Sequence, residues 1–378
     1  MHIGIFINQM TKVGGSERVA ANLCQAWSEA GDRVTLVTLS PCQEGISLPP
    51  DIDRRSLSPR PKRSGLAGLV DSMMNGFRLG RVLREIKPDA VIAISTVASL
   101  QLAFARCAPG MVKIGTEHGY MRHYRQPYYV MSARRLLFPR LDAVVCPASK
   151  SAKAIAEDCP GTKAVAIANP LSWPLPASGH SVPTERLLKP GRRYFCTSAR
   201  FEPLKRIDQL IEAFGLIQEQ LLDWDLVILG DGQLRTSLEA QVSKSGLGAR
   251  VHFAGWVGNP AEWYERTDLF VFSSHSEGFG MVLAEAMAYG LPCVTYDCDA
   301  GPADIVRDGI DGAVVPTGDV RALSKQMHAL ALDHVRRAEY SRRAREVRTR
   351  FGNTSVRRQW QDLIRAARSL SGARSNHG

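Results

Sequence analysis

The strongest constraint on this chain is a repeated alternation of short apolar runs with longer helical patterns, interrupted once. HIGIFIN (2–8) is an almost unbroken apolar run, as expected of a strand covered on both faces. A helical pattern over 14–31 ends at Gly31, and RVTLVTL (33–39) is the next apolar run. This βαβ opening predicts a parallel sheet with right-handed crossovers. DAVIAIS (89–95), VKIGTEH (112–118) and DAVVCPAS (142–149) continue the strand series, and KAVAIAN (163–169) closes it.

Residues 169–193 then carry five prolines and no period, a linker signature. After them the rhythm restarts. Strands are expected at 193–199, 225–230, 250–255, 268–274 and 292–297, with helices at 206–217, 233–246 and 281–290. The expected organisation is α/β with two parallel-sheet, Rossmann-like domains. Residues 1–170 form the first, 171–192 a Pro-rich hinge and 193–350 the second, and a C-terminal helix over 351–378 returns towards the first domain. Ligands of such sheets bind beyond the carboxyl ends of the strands, so a cleft between facing domains is the expected site.

The net charge of +11 is uneven. Residues 1–170 hold 22 Lys/Arg against 13 Asp/Glu, 171–332 hold 14 against 20, and 333–378 hold 12 against 4. Two basic stretches flank an acidic one, which suggests an anionic partner for the first half, nucleic acid or a membrane surface; a solvated face is the alternative. The eight cysteines include no C-x-x-C pair, which argues against a zinc or thioredoxin-like site. They read as reduced thiols of a cytosolic protein. No secretory signal is visible at MHIGIFINQM. The longest low-charge run, 90–105, is too short and too polar for a spanning helix.

Three motifs carry chemistry. In KVGGSERV (12–19), Gly14 and Gly15 lie between a strand and a helix, where backbone can approach an anion. The pattern is not G-x-G-x-x-G, which disfavours a dinucleotide dehydrogenase. More specific is SSHSEGFGMVLAEAM (273–287): Glu277, Gly278, Phe279 and Gly280 form a loop, a helix begins near Met281, and Glu285 lies in its second turn. The first turn of that helix offers unpaired N–H groups and a positive dipole end to a phosphate or a sugar hydroxyl. In ARFEPLKRIDQLIEAF (199–214), Arg200 and Lys205 lie on a turn after a strand, two cations suited to a diphosphate.

With these motifs the chain resembles, over essentially its whole length, the retaining nucleotide-sugar glycosyltransferases of family 4, which have the GT-B fold. Glu277 and Glu285 with GFG between them carry the resemblance most strongly. Arg200, Lys205, LGDG (229–232) and Gly14-Gly15 agree in order, and residues 297–316 are similar to bacterial polysaccharide and lipid-linked-oligosaccharide members. The resemblance implies that Arg200 and Lys205 bind the donor diphosphate. It places Glu285 on the ribose and Glu277 on the transferred sugar. It assigns the N–H groups of Phe279, Gly280, Met281 and Val282 to sugar and phosphate, and Gly15 to the diphosphate from the first domain. His118, in TEHG, matches a histidine near the transferred sugar. Gly230 and Val257 match the base-binding edge. The family pattern has Gly after the lysine, where this chain has Arg206.

The implied reaction moves a hexosyl or N-acetylhexosaminyl group from a nucleotide sugar to a lipid-linked or polysaccharide glycan. UDP-sugars are the favoured donors and GDP-mannose the alternative. Fixed positive charge on the leaving diphosphate lowers the barrier, so the expectation is no metal and no cofactor. Attack is expected on the front face, with the diphosphate accepting the acceptor's proton. The segment 54–87, with Arg54, Arg55, Arg60, Lys62, Arg63, Arg78, Arg81, Arg84 and Lys87 among Leu66, Leu69, Val70, Met73, Met74 and Phe77, reads either as a basic amphipathic stretch able to lie on an anionic leaflet or as a core-facing helix with a solvated basic face. Arg122, Arg125, Arg134, Arg135 and Arg140 are expected to add positive charge after His118. The expected place is the cytoplasm, peripheral at the inner face of the cell membrane. A nucleic-acid binder finds no module in the sequence. A GT-B epimerase or phosphorylase, or an inactive scaffold, fits the motifs less well.

Overall fold

A computed structural model describes residues 1–10, 14–41, 46, 48–57, 65–120, 127–177 and 179–375. The chain forms two compact units, Met1–Pro170 with Phe351–Gly378, and Leu171–Arg350.

Unit 1 alternates β1 (His2–Ile7), α1 (Gly15–Ser28), β2 (Arg33–Thr38), β3 (Asp53–Ser56), α2 (Gly65–Ile86), β4 (Ala90–Ile94), α3 (Thr96–Phe104), β5 (Val112–Thr116), α4 (Tyr128–Leu137), β6 (Ala143–Cys146), α5 (Ser149–Asp158) and β7 (Ala164–Ala166). Its seven strands are all parallel, in the order β3-β2-β1-β4-β5-β6-β7. The central strands are the apolar runs of the sequence: Ile3, Ile5, Ile92, Ile94 and Ile114 face one layer, and Phe6, Val91, Ala93 and Val144 the other. The run 163–169 yields a shorter strand than its sequence suggests, Ala164–Ala166.

Unit 2 contains β8 (Arg193–Ser198), α6 (Ile207–Gly215), β9 (Trp224–Leu229), α7 (Arg235–Lys244), β10 (Val251–Gly255), α8 (Pro260–Glu265), β11 (Leu269–Phe272), α9 (Met281–Ala288), β12 (Cys293–Tyr296), α10 (Pro302–Ile305), β13 (Gly312–Val315), α11 (Val320–Leu332), α12 (His334–Ala344) and α13 (Val347–Arg350). Its six parallel strands run β10-β9-β8-β11-β12-β13. The Pro-rich stretch expected as a hinge belongs to this unit: Leu171, Leu175, Val182 and Leu188 are buried, and the Val182 N–H donates to Asn259 Oδ1 at 2.9 Å.

The last helix, α14 (Asn353–Ser375), belongs to unit 1. Val356, Trp360, Leu363, Ile364 and Ala367 recur at helical spacing and enter the core beside Leu23 and Trp27 of α1. Arg357 lies over the Trp27 ring at 5.8 Å. No disulfide forms among the described residues, and Cys42 lies outside them. Among the described residues no helix is long and apolar enough to cross a membrane.

The basic stretch 54–87 divides. Arg54 and Arg55 lie in β3, at the sheet edge. Arg60, Lys62 and Arg63, and the side chains of Leu66 and Leu69, lie outside the described residues. On α2, Leu79 and Leu83 are buried, whereas Val70, Phe77, Arg81 and Arg84 are exposed. Arg122 and Arg125 also lie outside the description. Arg134, expected as an exposed cation, is instead buried beside Glu117 and over the Phe138 ring.

Candidate active site

In unit 2 the chain leaves β8 for β9 on one side and later returns to β11 on the other. The crevice beyond the carboxyl ends of β8 and β11 is therefore the topological switch point, where open α/β sheets place ligands. Two connections meet there. After β8, Phe201 is fully buried and its N–H donates to Asp231 O at 2.9 Å. A 3-10 turn, Pro203–Lys205, then delivers Lys205. After β11, the Ser273 hydroxyl donates to Lys205 O at 2.9 Å, and the His275 N–H donates to Leu204 O at 2.8 Å. These bonds join the two connections. Lys205 Nζ consequently lies 2.5 Å from Glu277 Oε1, a pair mostly shielded from solvent.

Arg206 adopts φ 48°, ψ 42° as it enters α6. This left-handed conformation is one that glycine takes without strain. Here the guanidinium holds it by pairing with the Asp208 carboxylate at 2.8 Å.

Gly280 caps α9, and its carbonyl takes the Leu283 and Ala284 N–H groups at 3.0 and 3.2 Å. As first-turn residues, Met281 and Val282 have N–H groups without intrahelical acceptors, next to the positive dipole end. Phe279 is buried, so only its backbone is available to a ligand. A Cβ on Gly301 would lie 2.1 Å from Phe279 O, so glycine there lets the two loops touch. Glu285, in the second turn of α9, is 2% exposed.

At the same sheet edge, Gly230 follows β9 at φ 122°, and a Cβ there would lie 1.9 Å from Ala199 O. Its N–H donates to Gly255 O at 2.7 Å, closing the edge towards the half-buried Val257. Arg200 stands apart: its side chain is 67% exposed and pairs with Glu202 at 3.0 Å. The structure thus brings Lys205 and Glu277 together and leaves Arg200 on the rim.

In unit 1, Gly15 opens α1 after β1, with nothing within 4 Å of a Cβ placed there. Lys12 and Val13 of the same motif lie outside the described residues. His118 follows β5, and its Nε2 lies 2.8 Å from Thr116 Oγ1. Burial pulls the imidazole down to about 4, so it is neutral at physiological pH. Next to it, burial raises the Glu117 carboxyl, against the opposing pull of Arg134 at 3.9 Å and the Thr96 hydroxyl at 2.6 Å.

Sequence reasoning missed Ser273, His275 and Gly301, which hold the loops, and Thr116, which holds His118. Gly301 had a signal, a glycine immediately before the Pro302 that opens α10; the hydroxyls had none beyond their place at strand ends.

A lysine and a helix N-terminus suit an anion, and two carboxylates beside them suit hydroxyl groups. Residues 183–347 match the family described as glycosyl transferases group 1, and residues 13–172 match glycosyltransferase family 4. The chain is 28% identical over 345 residues to an exopolysaccharide phosphotransferase of Streptomyces coelicolor, covering 85% of this chain but 35% of that protein. It is 28% identical over 253 residues to a lipopolysaccharide 1,6-galactosyltransferase of Escherichia coli, covering 64% and 65% of the two chains. Its fold matches HepE of Anabaena, solved in complex with UDP, with a TM-score of 0.75 over 97% of this chain and all of that one, at 17% identity. With the two family matches together spanning both units and the fold matching across nearly the whole chain, the chain belongs to the family 4 type of glycosyltransferases with the GT-B fold.

Proposed function

We propose that this glycosyltransferase moves a hexosyl or N-acetylhexosaminyl group from a UDP-sugar to a lipid-linked or polysaccharide glycan, with retention of configuration and without a metal. The observation that carries the reading is the Lys205–Glu277 pair at the switch point of the unit 2 sheet. Lys205, joined by Arg200 from the rim, takes the diphosphate, and Glu277 takes hydroxyls of the transferred sugar. The Met281 and Val282 N–H groups, with the backbone of Phe279 and Gly280, complete the anion site. Glu285 accepts from the ribose, and Gly230 and Val257 border the base. In unit 1, Gly15 is assigned to the diphosphate and His118 to the sugar.

Chemistry follows from charge. Departure of the nucleoside diphosphate leaves an oxocarbenium-like sugar, and preorganised positive charge at the leaving oxygen is the largest single means of lowering that barrier. The diphosphate, held on the same face, accepts the proton of the incoming hydroxyl, which gives retention.

UDP is supported by the UDP complex of HepE, and a lipopolysaccharide-type acceptor by the name of the Escherichia coli relative. The phosphotransferase activity named for the Streptomyces protein belongs to a chain of which this one matches 35%, and it is not carried over. A peripheral membrane location is supported by apolar residues exposed beside arginine on unit 1, Val70 and Phe77 with Arg81 on α2 and Tyr128, Met131 and Leu136 with Arg135 on α4.

The test is a donor screen. Nucleoside diphosphate release is measured with UDP-, GDP- and ADP-sugars and a lipid-linked glycan, for the wild type and Lys205→Ala. Release from a UDP-sugar that Lys205→Ala slows by ~10²–10³-fold is expected. No release from any nucleotide sugar would remove the reading.

A further inference from the structure

The hydroxyl of Thr116, the last residue of β5, has three partners. The Ser95 N–H approaches Oγ1 at 3.1 Å, Ala93 O lies at 2.9 Å, and His118 Nε2 lies at 2.8 Å. A hydroxyl has one proton to donate and two lone pairs. The Ser95 N–H can only donate, so it occupies one lone pair. The Ala93 carbonyl can only accept, so it takes the proton. One lone pair remains for His118, and it requires a proton on Nε2. The other arrangement, with the proton pointed at Nε2, would leave two bare oxygens facing each other at 2.9 Å. The network is therefore complete only with a proton on Nε2, and in the neutral ring that burial enforces, Nδ1 carries the lone pair. Nδ1 is buried, and among the described residues it has no hydrogen-bond partner.

The backbone is shaped to hold this network. Ser95 sits at φ 98°, ψ 160°, a conformation that strains a non-glycine residue and persists only where surrounding bonds impose it. Three bonds do so. Its side chain caps α3 at the Ala98 N–H (3.4 Å), its carbonyl takes the Ser99 hydroxyl at 2.8 Å, and its own N–H is spent on Thr116. Ser99 also receives the Thr116 N–H at 2.9 Å, which locks the end of β5 against α3.

We infer that Thr116, held by Ser95 and Ala93, is a positioning residue that fixes His118 as the Nε2–H tautomer, so that His118 offers Nδ1 as a hydrogen-bond acceptor, and not a donor, to a hydroxyl of the transferred sugar. The inference rests on the function proposed above for the choice of ligand, and on Thr116 together with the burial of the ring for the tautomer. A neutral imidazole with one nitrogen already donating to a threonine has only an acceptor left to give. An imidazolium would instead present a donor at Nδ1.

The experiment is nitrogen NMR on the full-length protein labelled at histidine, with the His118 signals assigned by difference against His118→Asn. At neutral pH the wild type is expected to show a protonated Nε2 and an unprotonated Nδ1. Adding a hydrolysis-resistant nucleotide sugar should shift Nδ1 in the direction of an accepted hydrogen bond and leave Nε2 unmoved. Thr116→Val should mix the tautomers and lower kcat/KM for sugar transfer about tenfold, the worth of one hydrogen bond. Its Kd for the free nucleoside diphosphate should stay unchanged. Thr116→Ser keeps the hydroxyl and should restore both the single tautomer and the rate, which a purely packing role for Thr116 would not do. A proton on Nδ1 in the wild type, or full rate in a folded Thr116→Val, would overturn the inference whether or not the protein transfers sugar. A wild type with the expected tautomer but no response to any nucleotide sugar would overturn the assigned ligand and the proposed function together, while upholding the role of Thr116.

Discussion

Lys205 Nζ lies 2.5 Å from Glu277 Oε1, although these residues are 72 positions apart and the roles assigned to them differ. Each is the other's counterion. With the roles proposed for them, donor binding exchanges this pair for a phosphate on Lys205 and a hydroxyl on Glu277.

That exchange makes the two variants unequal. Lys205→Ala removes a preorganised cation from the leaving group, and kcat/KM should fall by ~10²–10³-fold. Glu277→Gln releases Lys205 from its counterion. It should bind free nucleoside diphosphate at least as tightly as the wild type by calorimetry, yet transfer sugar far more slowly. If Glu277→Gln weakened diphosphate binding as much as Lys205→Ala does, Glu277 would belong to the nucleotide and not to the sugar.

Gly301 gives a test of loop geometry that leaves every polar group in place. Gly301→Ala puts a Cβ into the space of Phe279 O at a positive φ. The β11–α9 connection must then move, and with it the first-turn N–H groups of α9. A stability loss of about 1–3 kcal/mol is expected, together with weaker nucleoside diphosphate binding. Unchanged binding would mean that these N–H groups do not touch the phosphate.

The fold was largely legible, because buried parallel strands must be apolar runs and the crossovers between them must be helices. β3 was not. Asp53–Ser56 reads DRRS, and an edge strand with exposed arginines carries no apolar signature. Within the site, Glu277, Glu285 and Lys205 were readable from order and spacing. Their pairing was not, since it depends on the Ser273 and His275 bonds that bring two distant loops together. Arg134 shows the opposite failure. Its charge suggested an exposed cation, but a neighbouring buried carboxylate, Glu117, draws it inside.

Unit 2 also holds a buried charge cluster away from the donor residues. Burial pushes the Asp225 carboxyl up, but the hydrogen bonds from His252, Arg192 and Arg250 outweigh this and pull it down to about 2. A carboxyl lowered on folding stabilises the fold above its unfolded pKa of about 4. The contribution fades as the pH falls through about 2. Asp225→Ala, which strands two arginines, should cost about 3–5 kcal/mol at pH 7. Measured by denaturant unfolding, the gap to the wild type should hold from pH 8 to about 4 and narrow below that. A gap independent of pH would mean that packing, and not charge, is what Asp225 supplies.

The last prediction concerns α2. Its buried side, Leu79 and Leu83, is spent on the core of unit 1. Its outer side leaves Val70 and Phe77 exposed beside Arg81 and Arg84, a pairing that suits the headgroup boundary of an anionic bilayer better than water. The arginines there are not equivalent. Arg84 Nη1 donates to Arg106 O at 2.6 Å and braces α2 against the end of α3, so replacing it would disturb the fold. Phe77 and Arg81 offer the cleaner change. A basic group near an anionic surface contributes about 1 kcal/mol, and salt screens it beyond ~8 Å at physiological ionic strength. The wild type should therefore cosediment with vesicles containing anionic lipid and come off as salt is raised. Phe77→Ser with Arg81→Glu should abolish cosedimentation while leaving nucleoside diphosphate binding, for which no residue of α2 is proposed, at the wild-type value. Equal binding of wild type and double variant, or binding to neutral vesicles as strong as to anionic ones, would show that α2 is not the docking face.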